Sequence, residues 1–127
     1  MRKLHEIMSH VVVSASSTES IDEARAKMRQ FRAHQLLVMD GHRPVGVVAK
    51  RDLPRAHAPA DHEPGSVRAR MKPVVVAPGS VTVAEAERLV EGREVFGVAV
   101  TLQEAVVGLV PIETLHEACA IDERFSP

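Results

Sequence analysis

Several residue types are scarce in this chain of 127 residues. It has a single cysteine and neither tryptophan nor tyrosine. A lone thiol cannot form an internal disulfide, so Cys119 favours a reducing compartment, and we expect a cytoplasmic location. Three Phe are the whole aromatic content, which leaves few platforms for stacked bases. A net charge of -1 gives no long-range field for a polyanion, so nucleic acid is not an expected partner.

Membrane and catalytic signatures are missing as well. No apolar run approaches the roughly 18 residues that a membrane helix requires, and the N-terminus MRKLHEIMSH lacks the apolar stretch of a signal peptide. No nucleophile–base pair, paired carboxylates or phosphate-cradling Gly loop appears, so the sequence does not predict an enzyme. The seven His residues show no H-x-x-x-H spacing, and no metal site is predicted.

One sequence motif occurs twice in the chain. GVVAKRDL at 46–53 corresponds to GLVPIETL at 108–115, a shift of 62 positions, and MSHVVV at 8–13 corresponds to MKPVVV at 71–76. Matches that stay in register across roughly 45 positions indicate two copies of one supersecondary unit. The predicted organisation is a first repeat at 1–60, a linker at 61–66 and a second repeat at 67–127.

Each copy predicts the order β-α-β-β-α, and the chain therefore has a predicted α+β fold of two packed repeats. A short extended segment with the VVV triplet precedes a helix that begins with a capping box, Ser20-x-x-Glu23 in the first copy and Thr82-x-x-Glu85 in the second. Two β-rich runs around a short turn then predict a hairpin: QLLVM with PVGVVA, and GVAVT with AVVGLV.

The helices that follow the capping boxes are predicted to be amphipathic, because apolar residues recur at helical spacing. A further helix is predicted to begin at Asp52 and, in the second copy, near Ile112. Neither copy alone can bury both faces of a three-stranded sheet, so we expect the copies to pack together with a small-molecule cleft between the hairpins. The predicted apolar stripes are Ile21, Ala24, Met28 and Phe31 in the first copy, and Val83, Ala86, Leu89 and Val90 in the second.

This order, with M-x-x-x-V-V opening each copy and G-h-V-x-x-x-D-L closing it, resembles a tandem pair of cystathionine-β-synthase (CBS) domains, also called a Bateman module. The resemblance runs from about Leu4 to Ala120. It implies a sensor, since such pairs bind adenosine-containing ligands (AMP, ADP, ATP or S-adenosylmethionine) between the two copies and commonly form homodimers. No other domain is attached, so the regulated protein is expected to be another chain.

The family's ligand phrase is Gly-h-h-Thr/Ser-x-x-Asp, and the two copies match it unequally. Asp52 matches the aspartate that in the family accepts hydrogen bonds from both ribose hydroxyls, whereas Ala49 stands at the hydroxyl position. Lys50 and Arg51 lie between them and add positive charge. The second copy has neither the hydroxyl nor the carboxylate, so the resemblance implies one ligand per chain. Its residues at these positions are Pro111 and Thr114.

The resemblance also implies the walls of each cleft, because the family places a site between the closing phrase of one copy and the opening segment of the other. The second cleft is then walled by residues 11–13. Some relatives hold phosphates with a His-Arg pair just before the central strand, and here His34 matches the first position of that pair but not the second. The predicted walls of the Asp52 cleft are Val74, Val75, Val76, Val95 and Phe96.

Other roles stay open for these residues. Asp52 and Thr114 both suit a simple helix N-cap, a position that tolerates either residue. His34 also suits a hydrogen-bonded rim position, and Cys119 suits packing in a core or an interface. The alternative to an adenosine sensor is therefore a ligand-free dimerisation or adaptor scaffold.

Charge and apolar surface predict a homodimer. Arg25, Arg29 and Arg32 form one basic stripe on the first helix, whereas its counterpart in the second copy is rich in glutamate. Either both helices present solvated faces, or they pair between subunits that run head to tail. The apolar face expected to need cover consists of Ile112, Leu115 and Cys119.

Overall fold

The computed structural model describes residues 1–10, 12–53 and 65–125. Its contacts divide the chain into two compact units, unit 1 (Met1–Val12 with Pro73–Pro127) and unit 2 (Val13–Lys72). Two short 3-10 turns occur at Lys50–Asp52 and Val67–Ala69. The helices and strands are α1 (Leu4–Ile7), β1 (Ser14–Ser16), α2 (Ile21–Phe31), β2 (Gln35–Asp40), β3 (Arg43–Ala49), β4 (Lys72–Pro78), α3 (Val83–Val90), β5 (Gly97–Leu102), β6 (Ala105–Pro111) and α4 (Ile112–Phe125).

Unit 2 is a three-stranded sheet with α2. β1 runs parallel to β2, and β2 runs antiparallel to β3, which confirms the first predicted hairpin. α2 begins after Ser20, whose hydroxyl accepts a hydrogen bond from the Glu23 N–H at 3.0 Å, while the Glu23 carboxylate accepts from the Ser20 N–H. The first capping box is thus confirmed. The buried core is Ala15, Ile21, Ala24, Met28, Leu36, Val38, Val48, Leu53 and Val67.

Unit 1 repeats this arrangement and adds α1 and α4. β4 runs parallel to β5, and β5 runs antiparallel to β6, as the second hairpin prediction requires. α3 begins after Thr82, whose hydroxyl accepts from the Glu85 N–H at 3.1 Å, so the second capping box is confirmed. α4 follows β6 directly and packs on α3. The buried core is Leu4, Ala77, Val83, Ala86, Val90, Val98, Val100, Val110, Leu115, Ala118 and Cys119.

The N-terminal segment belongs to unit 1, although it opens the first repeat of the sequence. The Leu4 N–H donates to the Val81 carbonyl at 2.9 Å, and Ser9 exchanges backbone hydrogen bonds with Leu109. The short helix α1 in this segment is not predicted by the sequence. The repeat boundaries at 1–60 and 67–127 stay a prediction from sequence, whereas the structural units divide after Val12 and after Lys72. Most of the predicted linker, residues 61–64, lies outside the described residues.

Two glycines, one in each repeat, make room for the opening segment of the other repeat. Gly46 in β3 lies against the Met71 side chain, and Gly108 in β6 lies against the Met8 side chain. A Cβ at either position would overlap the methionine and a neighbouring backbone carbonyl. Both hairpins also shift register just beyond the residue opposite the glycine, so the bulges are equivalent. The glycine that recurs in the closing phrases is therefore a packing requirement.

The apolar stripes of α2 and α3 are buried except at one position each, where the prediction is wrong. Phe31 is 55% exposed because it ends α2, and the next residue turns into the left-handed region at φ 52°. Leu89 is 43% exposed, since the adjacent Val90 takes the buried position. Neighbouring residues of a helix lie about 100° apart, so the two cannot face the sheet together.

The face of α4 that the sequence predicts to need cover is already buried. Leu115 is fully buried and Cys119 is 9% exposed, both in the core of unit 1, and Ile112 packs against that core. Burial raises the pKa of the Cys119 thiol, and the nearby carboxylates of Glu123 and Glu87 raise it further. The packing role of Cys119 is thus confirmed, but this face supplies no reason for a homodimer.

Candidate ligand-binding turn

The ligand phrase of the first copy forms the 3-10 turn that follows β3. The Lys50 N–H donates to the His34 carbonyl at 2.8 Å, and the Leu53 N–H donates to the Lys50 carbonyl at 3.2 Å. Ala49 ends β3 opposite Gln35 of β2. These backbone hydrogen bonds hold His34 beside the turn. The structure therefore brings together the five site residues predicted within unit 2, which are His34, Ala49, Lys50, Arg51 and Asp52.

The side chains of this turn are polar and accessible. Lys50, Arg51 and His34 are exposed, and Asp52 is half-buried, while Leu53 anchors the turn in the core. Asp52 is the third residue of the turn, and Ala49 occupies the cap position, so the N-cap alternative for Asp52 is wrong. The continuation of the predicted helix at 54–64 lies outside the described residues. Within the described chain the Asp52 carboxylate makes no side-chain hydrogen bond.

Unit 1 closes the corresponding turn with the same backbone contact. The Ile112 N–H donates to the Phe96 carbonyl at 2.8 Å, and Pro111 ends β6 opposite Gly97. Thr114 is the third residue of α4, so it is not an N-cap either. The two turns share this backbone contact but differ in charge. The first three positions after the strand are Lys50, Arg51 and Asp52 in unit 2, and Ile112, Glu113 and Thr114 in unit 1, so unit 1 keeps a charge only at the second position.

The turn of unit 1 is also more closely packed. Gly97 has a φ of 154°, and a Cβ there would overlap the Val110 carbonyl oxygen and lie 2.9 Å from the Ile112 nitrogen. The equivalent residue in unit 2 is Gln35, which carries a full side chain. The difference between the two turns is therefore present in the backbone packing as well as in the side chains.

The predicted wall residues lie beside the turn of unit 1. Val74 is paired with Gly97, and the Phe96 N–H donates to the Pro73 carbonyl at 2.8 Å. Val74, Val75, Val95 and Phe96 are half-buried, whereas Val76 is exposed. That these residues face Asp52 stays a prediction, as does the role of residues 11–13, of which Val11 lies outside the described residues.

A cavity in unit 1 lies away from both turns and has a volume of about 70 Å³. This volume holds a few water molecules and not a nucleoside. In the described part of the chain, no three His, Cys, Asp or Glu side chains are grouped to hold a metal ion. No helix in the same ranges is long and apolar enough to cross a membrane. The cavity is lined by Met1, Arg2, Ala84, Cys119, Asp122 and Glu123.

The chain resembles known proteins in sequence and in fold. Residues 4–58 match the family model of the CBS domain. Among solved structures, the CBS domain of a bacterial CNNM/CorC family Mg²⁺ transporter, solved with the inhibitor IGN95a, is 21% identical, with a TM-score of 0.72 over 91% of this chain and 74% of that chain. The chain has the fold of a tandem CBS-domain pair. The predicted tandem CBS fold and its α+β class are thereby confirmed.

Two further solved structures have a fold similar to that of this chain. The CBS domain of the bacterial CNNM/CorC family transporter in complex with ATP is 20% identical, with a TM-score of 0.70 over 94% of this chain and 87% of that one. The CBS-pair protein CBSX2 from Arabidopsis thaliana is 18% identical, with a TM-score of 0.61 over 98% of this chain and 99% of that one. Among curated proteins, none matches the chain.

Proposed function

We propose that this CBS pair is a regulatory module that binds an adenosine-type ligand at the turn Lys50–Asp52 and modulates a partner protein on another chain. One observation carries the proposal. Unit 1 makes the same 2.8 Å backbone hydrogen bond with the uncharged Ile112 and Thr114 at the positions of Lys50 and Asp52, and with Glu113 at the position of Arg51. Since the fold does not need a charge at the first and third positions, nor a positive charge at the second, the side chains of Lys50, Arg51 and Asp52 are available to a ligand.

The chemistry of the turn suits a nucleotide. A carboxylate accepts hydrogen bonds from two adjacent ribose hydroxyls, and such charge-assisted bonds are about twice as strong as neutral ones. The Asp52 carboxylate makes no other side-chain hydrogen bond within the described chain, so it has free acceptor positions. The exposed side chains of Lys50 and Arg51, with His34 beside them, attract the phosphates of AMP, ADP or ATP. S-adenosylmethionine shares the ribose but lacks the phosphates.

An apolar wall for the adenine ring belongs to the same proposal. Val74, Val75, Val95 and Phe96 supply aliphatic and aromatic surface, and pockets for small molecules are lined mainly by such residues. The ATP complex of the transporter CBS domain supports this ligand class, since that structure shares the fold of this chain. The proposal includes no catalytic step, and it places the module in the cytoplasm.

Calorimetric titration of the purified chain with ATP, ADP, AMP and S-adenosylmethionine tests the proposal. We expect one ligand per chain and modest affinity, because Ala49 offers no hydroxyl to the ribose or phosphate. Ligand at about 100 times its dissociation constant should also stabilise the folded chain by roughly 2.7 kcal/mol in a thermal-shift measurement. Two equivalent sites per chain would contradict the assignment to unit 2.

A ligand-free dimerisation or adaptor scaffold is the second candidate function. It is favoured by the residues at the hydroxyl positions of the family phrase, Ala49 and Pro111, neither of which can hydrogen-bond through its side chain. If none of the four adenosine compounds produces heat or a thermal shift, the scaffold replaces the sensor as the proposed function.

A further inference from the structure

Residues 1–10 lie across unit 1 as a strap whose side chains are mostly accessible. The Leu4 N–H donates to the Val81 carbonyl at 2.9 Å, and the His5 N–H donates to the Gly79 carbonyl at 3.2 Å. Within the strap only Leu4 is fully buried, and the helix α1 has four residues. Terminal segments that bury few apolar side chains open locally at a lower free energy than the whole domain. The strap is therefore the part of unit 1 that should open first.

Arg2 ties the strap to both helices of unit 1. Its Nε donates to the Asp122 carboxylate at 2.8 Å, and a terminal nitrogen donates to the Ala118 carbonyl at 3.1 Å, so one guanidinium binds two sites a turn apart on α4. The Arg2 carbonyl accepts from the Val83 N–H at 3.0 Å, where α3 begins. Hydrogen bonds between charged groups are about twice as strong as neutral ones. Removing the guanidinium should therefore loosen the strap.

The thiol of Cys119 lies beneath this part of the strap. Met1, Arg2 and Cys119 line the same cavity of about 70 Å³, and Cys119 is 9% exposed, three residues before Asp122 on α4. Burial raises the pKa of the thiol, and the Glu123 carboxylate raises it further, so the closed strap leaves the thiol shielded and protonated. The rate at which Cys119 reacts with a thiol reagent therefore reports how often the strap is open.

We infer that residues 1–10 open and close over Cys119 while the rest of unit 1 stays folded, and that Arg2 is the latch. Opening frees the Val83 N–H at the start of α3 and exposes the side chain of Leu4. A compound or protein that binds only the open form would shift unit 1 toward it. No ligand is needed for the motion, so it is independent of the proposed function.

Thiol labelling across a urea series tests whether the opening is local. The Cys119 thiolate attacks the disulfide of dithiobis(nitrobenzoate) and releases thionitrobenzoate, whose absorbance gives the rate. Without urea, we expect Cys119 to react at least about tenfold faster than global unfolding allows, with little dependence on urea, because a local opening exposes little surface. The comparison is V98C in a C119S background, a thiol in the core on β5, which should follow its own global unfolding curve. Labelling of Cys119 that follows global unfolding at every urea concentration would overturn the inference.

Substitution of Arg2 tests the latch. R2A should label at least about tenfold faster than the native chain, since hydrogen bonds to a charged group are lost. R2K should lie between the two, because one ammonium group cannot reach Asp122 and Ala118 with the geometry of the guanidinium. R93A removes an exposed guanidinium of the same unit outside the strap, and it should change the rate about threefold at most. Loss of a nearby positive charge disfavours the thiolate, so faster labelling of R2A cannot be an electrostatic effect. Equal rates in R2A and R93A would contradict the role of Arg2.

Amide hydrogen exchange follows the strap without any thiol. The Leu4 and Val83 N–H groups bond between the strap and the rest of unit 1, whereas β5 is paired with strands on both sides. In the native chain, we expect protection factors at least about tenfold lower for Leu4 and Val83 than for the paired N–H groups of β5. Equal protection would show that the strap opens only when the whole unit unfolds. Fast labelling of Cys119 with a fully protected strap would show that the reagent enters past a closed strap, and either result overturns the inference.

Discussion

In both units the N–H of the residue after the hairpin donates to the carbonyl of the residue before it, at 2.8 Å, yet most of the side chains around this bond differ in polarity. His34, Lys50 and Asp52 lie at this bond in unit 2, whereas Phe96, Ile112 and Thr114 stand at the matching positions in unit 1. The remaining pair, Arg51 and Glu113, is charged in both units. Because the polar set can be exchanged for a largely apolar set without changing the backbone contact, the polar set is not there for folding. The comparison therefore supports the proposal of a ligand at the turn of unit 2.

The features that the units do share are those that packing and hydrogen bonding require. Both have a capping box, a register shift in the same place and a glycine that accommodates a methionine. A Cβ at Gly46 or Gly108 would overlap a neighbouring backbone carbonyl, so any larger residue forces the chain to move. The repeat in the sequence thus preserves these backbone constraints.

The largest expected difference between the units lies in ligand binding. Asp52→Ala removes the carboxylate proposed to hold the ribose, and losing a hydrogen bond to a charged group costs about 1.5–3 kcal/mol, so affinity should fall roughly ten- to a hundredfold. Thr114→Ala, the matched change in unit 1, should leave affinity unchanged. Calorimetric titration with ATP measures both. Equal affinity in the native chain and Asp52→Ala would mean that the carboxylate does not contact the ligand.

Backbone packing at the turns should give the next largest effect. Gly97→Ala places a Cβ against the Val110 carbonyl at a φ of 154°, so we expect the free energy of unfolding in urea to fall by about 1–3 kcal/mol. Gln35→Ala makes a change at the equivalent position of unit 2, where a side chain is already accommodated, and should cost about 0.5 kcal/mol or less. Similar losses in the two variants would show that the turns are packed alike.

The sequence predicts local structure well because its determinants are local. Each capping box is set by two residues three positions apart, and each hairpin by two β-rich runs around a short turn, so both are visible before any tertiary contact is known. The exposure of residues at the edge of an apolar stripe is not determined by the local sequence. Phe31 and Leu89 fit a helical period as well as their buried neighbours, and only the position of the sheet decides which side chains it covers.

The packing of the N-terminal segment on the second repeat is another feature that the local sequence does not reveal. Leu4 is fully buried in unit 1 because residues 1–10 cross from the first repeat to the second, with backbone bonds to Val81 and Leu109. No residue in the segment encodes that partner by itself. The candidate site shows the same limit, since the residues of the turn Lys50–Asp52 are found through the family phrase, whereas the role of its walls depends on contacts between distant segments.

The capping boxes should make equal contributions, in contrast to the turns. Ser20→Ala and Thr82→Ala each remove the hydroxyl that accepts from the N–H three residues on, and each should lower the free energy of unfolding by about 1 kcal/mol. Gln30→Ala, at an exposed position inside α2, should change it by about 0.5 kcal/mol at most. A loss in one cap variant without a loss in the other would show that the two helices do not stabilise their units equally.

The smallest expected effect comes from the hairpin tips. The two-residue turn of unit 1 consists of Gln103 and Glu104, with φ values of 50° and 70°, whereas the turn of unit 2 has Gly41 at φ 63°. Positive φ at both central positions defines a type I′ turn, for which Asn-Gly is the preferred sequence. The left-handed region costs a residue other than Gly or Asn about 1 kcal/mol. Replacing such a residue by glycine relieves this cost, but part of the gain in stability is offset because glycine has greater freedom in the unfolded chain.

The variant Q103N/E104G should therefore raise the free energy of unfolding by about 0.5–1 kcal/mol, measured by urea unfolding. Gly41→Ala makes the opposite change in unit 2, placing a Cβ at a left-handed position, and it should destabilise the chain by about 1 kcal/mol. Both substitutions lie at exposed turns with open space around the backbone at Gly41, so packing does not contribute there. A neutral or destabilising Q103N/E104G variant would mean that the Gln103 and Glu104 side chains stabilise the native hairpin by more than their backbone conformation costs.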